Sequence, residues 1–257
     1  DILMRTAPGW LTASMIQEQA ELERSDAQSH AQTQLARALW LMRENKYQEA
    51  ATVLEEAIRR CRKAGSINSY ISPCYAWLTT ARRMMTMTVA RYDQTNYRRW
   101  LKATAQAAAK ACRLADKYQA DRSHALRERG WSKLLNGKPR AALQDFRESI
   151  AAARRSAEAM EEWQSLRAIC EIEQSLGKRR FPVSEAERTR WHFLQQQLAD
   201  SIGLIDSRQH QATSMSLVDR FDKLLDDGRR IARSLSRESI LKEGCLGAQH
   251  LIRGQEV

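Results

Sequence analysis

The sequence predicts an all-α fold built as an array of helical hairpins, and three observations carry that prediction. Gly and Pro together supply only 14 of the 257 residues, well under the roughly 12% of average usage, as long helices with short turns require. β-branched residues are sparse while Ala, Leu, Arg, Glu and Gln dominate, so intrinsic preference is helical almost throughout. The third observation is a recurring hairpin. Residues Ala125–Ala153 hold two amphipathic patterns around the turn Asn136-Gly137-Lys138-Pro139, with Gly130 and Ala142 as small residues where the two helices would touch. A shift of 92 residues lays Asn45-Lys46-Tyr47 on Gly137-Lys138-Pro139, Ala38 on Gly130, Ala50 on Ala142 and Leu54 on Phe146.

Taken in order, residues 1–30 open on the turn Thr6-Ala7-Pro8-Gly9 and continue as a leading helix from about Leu11. The abrupt start without methionine points to a fragment of a longer chain. The first hairpin begins at Ala31, with Leu35, Leu39 and Met42 on one stripe, then Asn45-Lys46-Tyr47, then Ala50, Leu54, Ala57 and Ile58 on the second helix. Ser72-Pro73 starts the next pair, serine capping free amides and proline fitting the first turn. That helix carries Tyr75, Trp77, Leu78, Ala81, Met84, Met85 and Val89. A break near Asp93–Asn96 precedes a helix from Tyr97 to Tyr118, whose small residues (Ala105, Ala107, Ala108, Ala111, Ala115) let neighbours approach on more than one side.

The hairpin 125–153 follows. A fourth uses Met160, Trp163, Leu166, Ile169, Cys170 and Leu176, stops at Gly177, and restarts at the capping box Ser184-x-x-Glu187 with Trp191, Leu194, Leu198 and Ile202. The repeats thus span 31–205, a polar linker spans 206–216, and residues 217–257 form terminal amphipathic helices. Four hairpins exceed the roughly three that such a stack needs to bury a continuous core.

The formal net charge of +11 lies entirely within residues 65–140; the flanking stretches are each within one charge of neutral. Its most regular part is a ridge along the Tyr97–Tyr118 helix, with Arg98, Arg99, Lys102, Lys110, Arg113 and Lys117 mostly three or four residues apart. Such a surface meets an acidic protein segment, a nucleic acid, or only solvent. The five cysteines are odd in number and lack a C-x-x-C pair, and the five histidines are scattered, so neither a disulfide frame nor a metal site is signalled. No nucleophile stands near a base, and no cofactor is implied. No apolar run approaches the roughly 20 residues of a membrane span and no charged-then-apolar leader opens the chain, so a cytoplasmic protein is expected.

The hairpins resemble tetratricopeptide repeats, through Gly130, Ala142 and Phe146 in one copy and Ala38, Ala50, Leu54 and Ala57 in another. The copies after residues 65 and 157 are longer and degenerate. The resemblance implies a right-handed superhelical array whose first helices line a concave groove. By that analogy Leu39, Met42 and Arg43 in one unit, and Arg127, Trp131, Leu134 and Leu135 in another, face a protein partner carrying an acidic or amphipathic segment. The alternative is that these side chains pack against the neighbouring hairpin.

The order of pieces adds to this. The stretch HALRERGWSKLLNGKPRAALQDFRESI followed by SLVDRFDKLLDDGRRIARSLSRESILKEGCLGAQHLIRGQEV is similar to the repeat region and GAF-domain entry helices of large bacterial signalling proteins. Those chains join serine/threonine kinase-like, AAA-type ATPase, repeat, GAF and often histidine kinase domains. The chain departs from the complete pattern: it has no G-x-x-x-x-G-K-[ST] loop, no kinase catalytic loop, and too little after Asp219 for a GAF sheet. The expected role is therefore a non-catalytic, protein-binding regulatory connector, acting on a protein partner or on neighbouring domains of the same chain. Nucleic-acid binding by the basic ridge, as in a helical solenoid or the sensor array of a transcriptional regulator, is the alternative. The seven-residue spacing of Leu217, Leu224 and Ile231 would serve a homodimer through the C-terminal helix, or packing onto the last hairpin.

Overall fold

The structure, a computed structural model, describes residues 12–22, 26–89 and 94–211. Every regular element among them is helical: α1 (Ala13–Glu21), α2 (Ala27–Arg43), α3 (Tyr47–Lys63), α4 (Ser72–Val89), α5 (Gln94–Lys117), α6 (Arg122–Leu135), α7 (Pro139–Arg155), α8 (Ala159–Leu176) and α9 (Glu185–Gln211), with a 3-10 turn, Gln119–Asp121, before α6. The chain divides into two compact units, Asp1–Gln196 and Gln197–Val257. The first holds α1 to α8 and the opening of α9; in the second, the described part is the helical continuation to Gln211.

Capping chemistry sets the helix ends. Thr12 accepts from the Met15 amide at 3.3 Å and Asp26 from the Ser29 amide at 2.7 Å, each satisfying one of the free donors of a first turn. The Asp26 cap starts α2 four residues before the expected Ala31. Pro139 stands at the first position of α7. At α9 the capping box is complete: the Glu187 amide donates to Ser184 Oγ at 3.2 Å and the Ser184 amide to Glu187 Oε2 at 2.7 Å.

The 92-residue correspondence extends to the helix ends. α3 and α7 begin and end 92 residues apart, and α2 and α6 end 92 residues apart. Each pair closes on the same turn. At Asn45 and Gly137, and again at Gly65 and Ala157, a residue with φ between 55° and 71° follows the helix. The next amide reaches back across it, as in Lys46 to the Leu41 carbonyl at 2.8 Å and Lys138 to the Lys133 carbonyl at 3.0 Å. This is the Schellman arrangement, which satisfies the last carbonyls of a helix. After these turns the spacing changes: α4 and α8 are both 18 residues long but lie 87 apart, because the connector before α4 is five residues longer than that before α8.

Consecutive helices from α1 to α8 pack side by side, and α2 also touches α4, α4 touches α6, and α6 touches α8. The first helices of successive pairs thus form one contiguous row. Closest approach is at Gly130, where a Cβ would lie 3.2 Å from the Ala142 carbonyl oxygen and 3.2 Å from two Phe146 ring atoms. The apolar interior forms two clusters. One runs from Ile16 through α2 to α5 and reaches Ala125, Leu126 and Ala152; the other joins α7 to α9 through Phe146, Ile150, Leu166, Ile169, Phe181 and Leu194.

A buried polar seam runs through α6, α7 and α8. Ser149 Oγ donates to the Ser123 carbonyl at 2.6 Å and lies 2.8 Å from Ser165 Oγ, while Asp145, 1% exposed, accepts from Arg129 and Lys133 at 2.7 and 2.6 Å. Among the described residues no helix is long and apolar enough to cross a membrane. The seam expected at Leu217, Leu224 and Ile231, and the last five residues of the stretch read as a linker, lie outside the described residues; α9 itself continues to Gln211, six residues into that linker.

Candidate functional site

The row α4, α6 and α8 carries four of the residues expected to meet a partner, Arg127, Trp131, Leu134 and Leu135, all on α6, and the polar groups around them are largely engaged with one another. Arg83 donates to Glu128 through Nε at 2.7 Å and Nη2 at 3.2 Å, and the Glu128 side chain is 2% exposed. Thr80 Oγ1 and His124 Nε2 share a hydrogen bond of 2.9 Å, with the Trp77 ring edge-on to the imidazole at 4.5 Å. Ser123 donates to Glu158 at 3.0 Å and Arg127 ion-pairs with Glu161. Charges fixed in this way tie successive hairpins together and leave little to offer a ligand.

The groove residues therefore divide. Leu39 and Arg127 are buried, at 8% and 5% exposure, which removes both from any contact surface: Leu39 belongs to the core stripe, and the Arg127 guanidinium is neutralised from α8. Trp131 is half-buried, edge-on to Phe146 with ring centroids 5.4 Å apart, and the Arg83 guanidinium lies over its ring at 5.2 Å. Met42, Leu134 and Leu135 are also half-buried; Arg43 is exposed.

The α5 ridge behaves differently. Arg98, Arg99, Lys102, Lys110, Arg113 and Lys117 are all exposed, and among the described residues none of them lies within ion-pair distance of a carboxylate. From Arg98 to Lys110 the ridge runs about 18 Å at 1.5 Å per residue. Its nearest acidic neighbour in sequence, Asp116, pairs with Arg122.

At Lys110 the ridge meets a cavity of about 540 Å³ between α3, α4 and α5. Ile58, Leu78, Ala107 and the Tyr75 ring supply apolar wall. Five cations and one carboxylate border it. Two of the cations are compensated: Arg82 pairs with Glu55 at 2.8 Å and Arg59 with Glu56 at 2.5 Å. Arg62, Lys63 and Lys110 have no ion pair among the described residues.

Lys110 records the result. Burial, and after it the neighbouring charges of Arg62, Arg113 and Arg82, depress its pKa below 10.5, the response of a partly desolvated ammonium among other cations. Its Nζ lies 5.7 Å from the centroid of the Tyr75 ring, a cation–π contact, and burial raises the Tyr75 phenol against the opposing pull of Arg62.

The ridge was visible in sequence because its members share one helix. Arg62 and Lys63 were not, since they sit on α3, some 47 residues before Lys110, and nothing local marks them as its neighbours. Among the described residues no group of three His, Cys, Asp or Glu is arranged to hold a metal. Cys61, Cys74, Cys112 and Cys170 are buried thiols outside any disulfide, and burial pushes the Cys112 and Cys170 thiols up to about 11, which disfavours the reactive thiolate. No protein-family model matches the chain, and neither a curated protein nor a solved structure shows significant similarity to it.

Proposed function

We propose that the chain is a right-handed superhelical array of tetratricopeptide-like hairpins. It serves as a non-catalytic, protein-binding regulatory segment of a cytoplasmic multidomain signalling protein. The observation that carries the binding role is the α5 ridge, whose six exposed cations have no carboxylate partner among the described residues, where most of the buried charges are paired internally. The repeat reading is supported by the 92-residue match of helix ends and turns, the close crossing at Gly130 and the row formed by α2, α4, α6 and α8. The partner is an acidic or amphipathic segment of another protein or of a neighbouring domain.

Affinity capture with the wild-type chain and with an Arg98→Glu/Lys102→Glu/Arg113→Glu variant tests this reading. Acidic proteins captured by the wild type and lost from the variant support it; an unchanged set removes the ridge from the account. The same ridge favours one rival, a nucleic acid, which would announce itself by affinity falling steeply with salt as counterions are released.

A further inference from the structure

The cavity between α3, α4 and α5 differs from the ridge in kind. It joins an apolar wall to a rim of positive charge, and at about 540 Å³ it falls within the roughly 300–1,000 Å³ of small-ligand sites. A purely inorganic anion would leave Ile58, Leu78 and Ala107 unused; a purely apolar group would leave Arg62, Lys63 and Lys110 facing one another. The complementary occupant carries an apolar side chain flanked by carboxylates.

Continuity with the ridge selects an extended chain over a small molecule. Positive charge continues from Lys110 back along α5 for about 18 Å, a length that an isolated metabolite does not use. A nucleic acid would match the charge but not the wall, because stacking on bases needs free aromatic faces, whereas Ile58, Leu78 and Ala107 are aliphatic and Lys110 lies over the Tyr75 ring.

We propose that this cavity is the anchoring pocket for an acidic, apolar-bearing segment of a protein partner. One aliphatic or aromatic side chain of that segment rests against Ile58, Leu78 and Ala107, while neighbouring carboxylates meet Arg62, Lys63 and Lys110. The inference rests on the protein-binding reading of the ridge and adds to it a specific pocket and a specific side-chain chemistry.

The test is fluorescence anisotropy on the full chain with the labelled pentapeptide Glu-Asp-Leu-Phe-Glu. At about 17 Å extended, it fills the pocket without reaching Arg98. Saturable binding is expected, weakened at least tenfold by Arg62→Glu/Lys110→Glu and several-fold by Lys110→Gln, and lost when Ser-Ser replaces Leu-Phe. The Arg98→Glu/Lys102→Glu variant should stay within twofold of wild type. Both rim residues are exposed, and far-ultraviolet circular dichroism with a thermal melt checks that each variant is folded.

Absence of saturable binding overturns the inference, as does an equal loss with pocket and ridge variants, or full binding of the Ser-Ser peptide. Tighter binding of a single-stranded oligonucleotide than of the peptide overturns the partner class. Failure here with ridge-dependent capture intact removes the pocket alone. Pentapeptide binding that depends on Arg62 and Lys110, without ridge-dependent capture, removes the ridge alone.

Discussion

Phe146 lies against Gly130 so closely that the smallest side chain has no room: two ring atoms stand 3.2 Å from where a Cβ would be. Ninety-two residues earlier the same positions hold Leu54 and Ala38, both fully buried. The two crossings divide their volume differently, the larger ring being matched by the loss of a methyl on the facing helix. Gly130→Ala should therefore cost about 1 kcal/mol, since the packing strain outweighs the helical preference for Ala. Phe146→Leu should recover part of that loss, with a favourable coupling of about 1 kcal/mol. Urea denaturation of the two single variants and the double variant measures it; additive costs would mean that the ring is not what Gly130 accommodates.

The repeated turns carry their own asymmetry. Gly137 and Ala157 occupy the same turn at φ of 71° and 55°, but only glycine takes that conformation without a Cβ penalty. Ala157→Gly should stabilise the chain by about 0.5–1 kcal/mol and Gly137→Ala should destabilise it by about 1 kcal/mol. Thermal melts showing the same sign for both substitutions would refute the shared turn geometry as the cause.

Arg83 and Glu128 form the link between α4 and α6, with side-chain exposures of 12% and 2%. Replacing one partner leaves the other buried and uncompensated, so Arg83→Met should cost about 3 kcal/mol or more. Adding Glu128→Leu should return most of it, because an apolar pair leaves no charge behind. A double variant as unstable as Arg83→Met would show that the pair matters for its hydrogen bonds to the rest of the row rather than for mutual neutralisation.

Acid should loosen the α8–α9 packing. Burial alone would raise the pKa of Glu162 and of Glu173, but the hydrogen bonds from Arg190 and Arg154 to the first, and from Arg188 and the Val183 amide to the second, outweigh it and hold both below 4.5. A carboxylate whose pKa is lower in the folded chain than in the unfolded one stabilises fully above the unfolded value, and that contribution disappears as pH falls through the folded value. Stability should accordingly be flat from neutral pH to about 5 and drop below about 4.5. Glu162→Gln should lower stability at neutral pH and flatten the acid limb. An unchanged acid slope in that variant would assign acid sensitivity elsewhere.

Much of the helical layout was legible in sequence because its signals are local. Pro139, Gly177 and the Ser184–Glu187 box each act within one turn of chain, and each stands at the helix end its chemistry predicts. The contact surface was less legible because exposure is decided by distant residues. Arg127 reads as a groove cation until Glu161, 34 residues later, is placed against it. The same non-locality hides the cavity, whose cations come from three helices, and the turn at Ala157, where alanine carries none of the usual signal for a left-handed residue.

The polar seam through α6, α7 and α8 bears on how the chain comes apart. An oily interior transmits cooperativity through close contact, whereas a layer of serine hydroxyls and carboxylates can exchange its partners for water at modest cost. Amide hydrogen exchange should then resolve two blocks with different opening energies, parting along Ser123, Ser149 and Ser165. Such a joint would let one block open while the other stays intact.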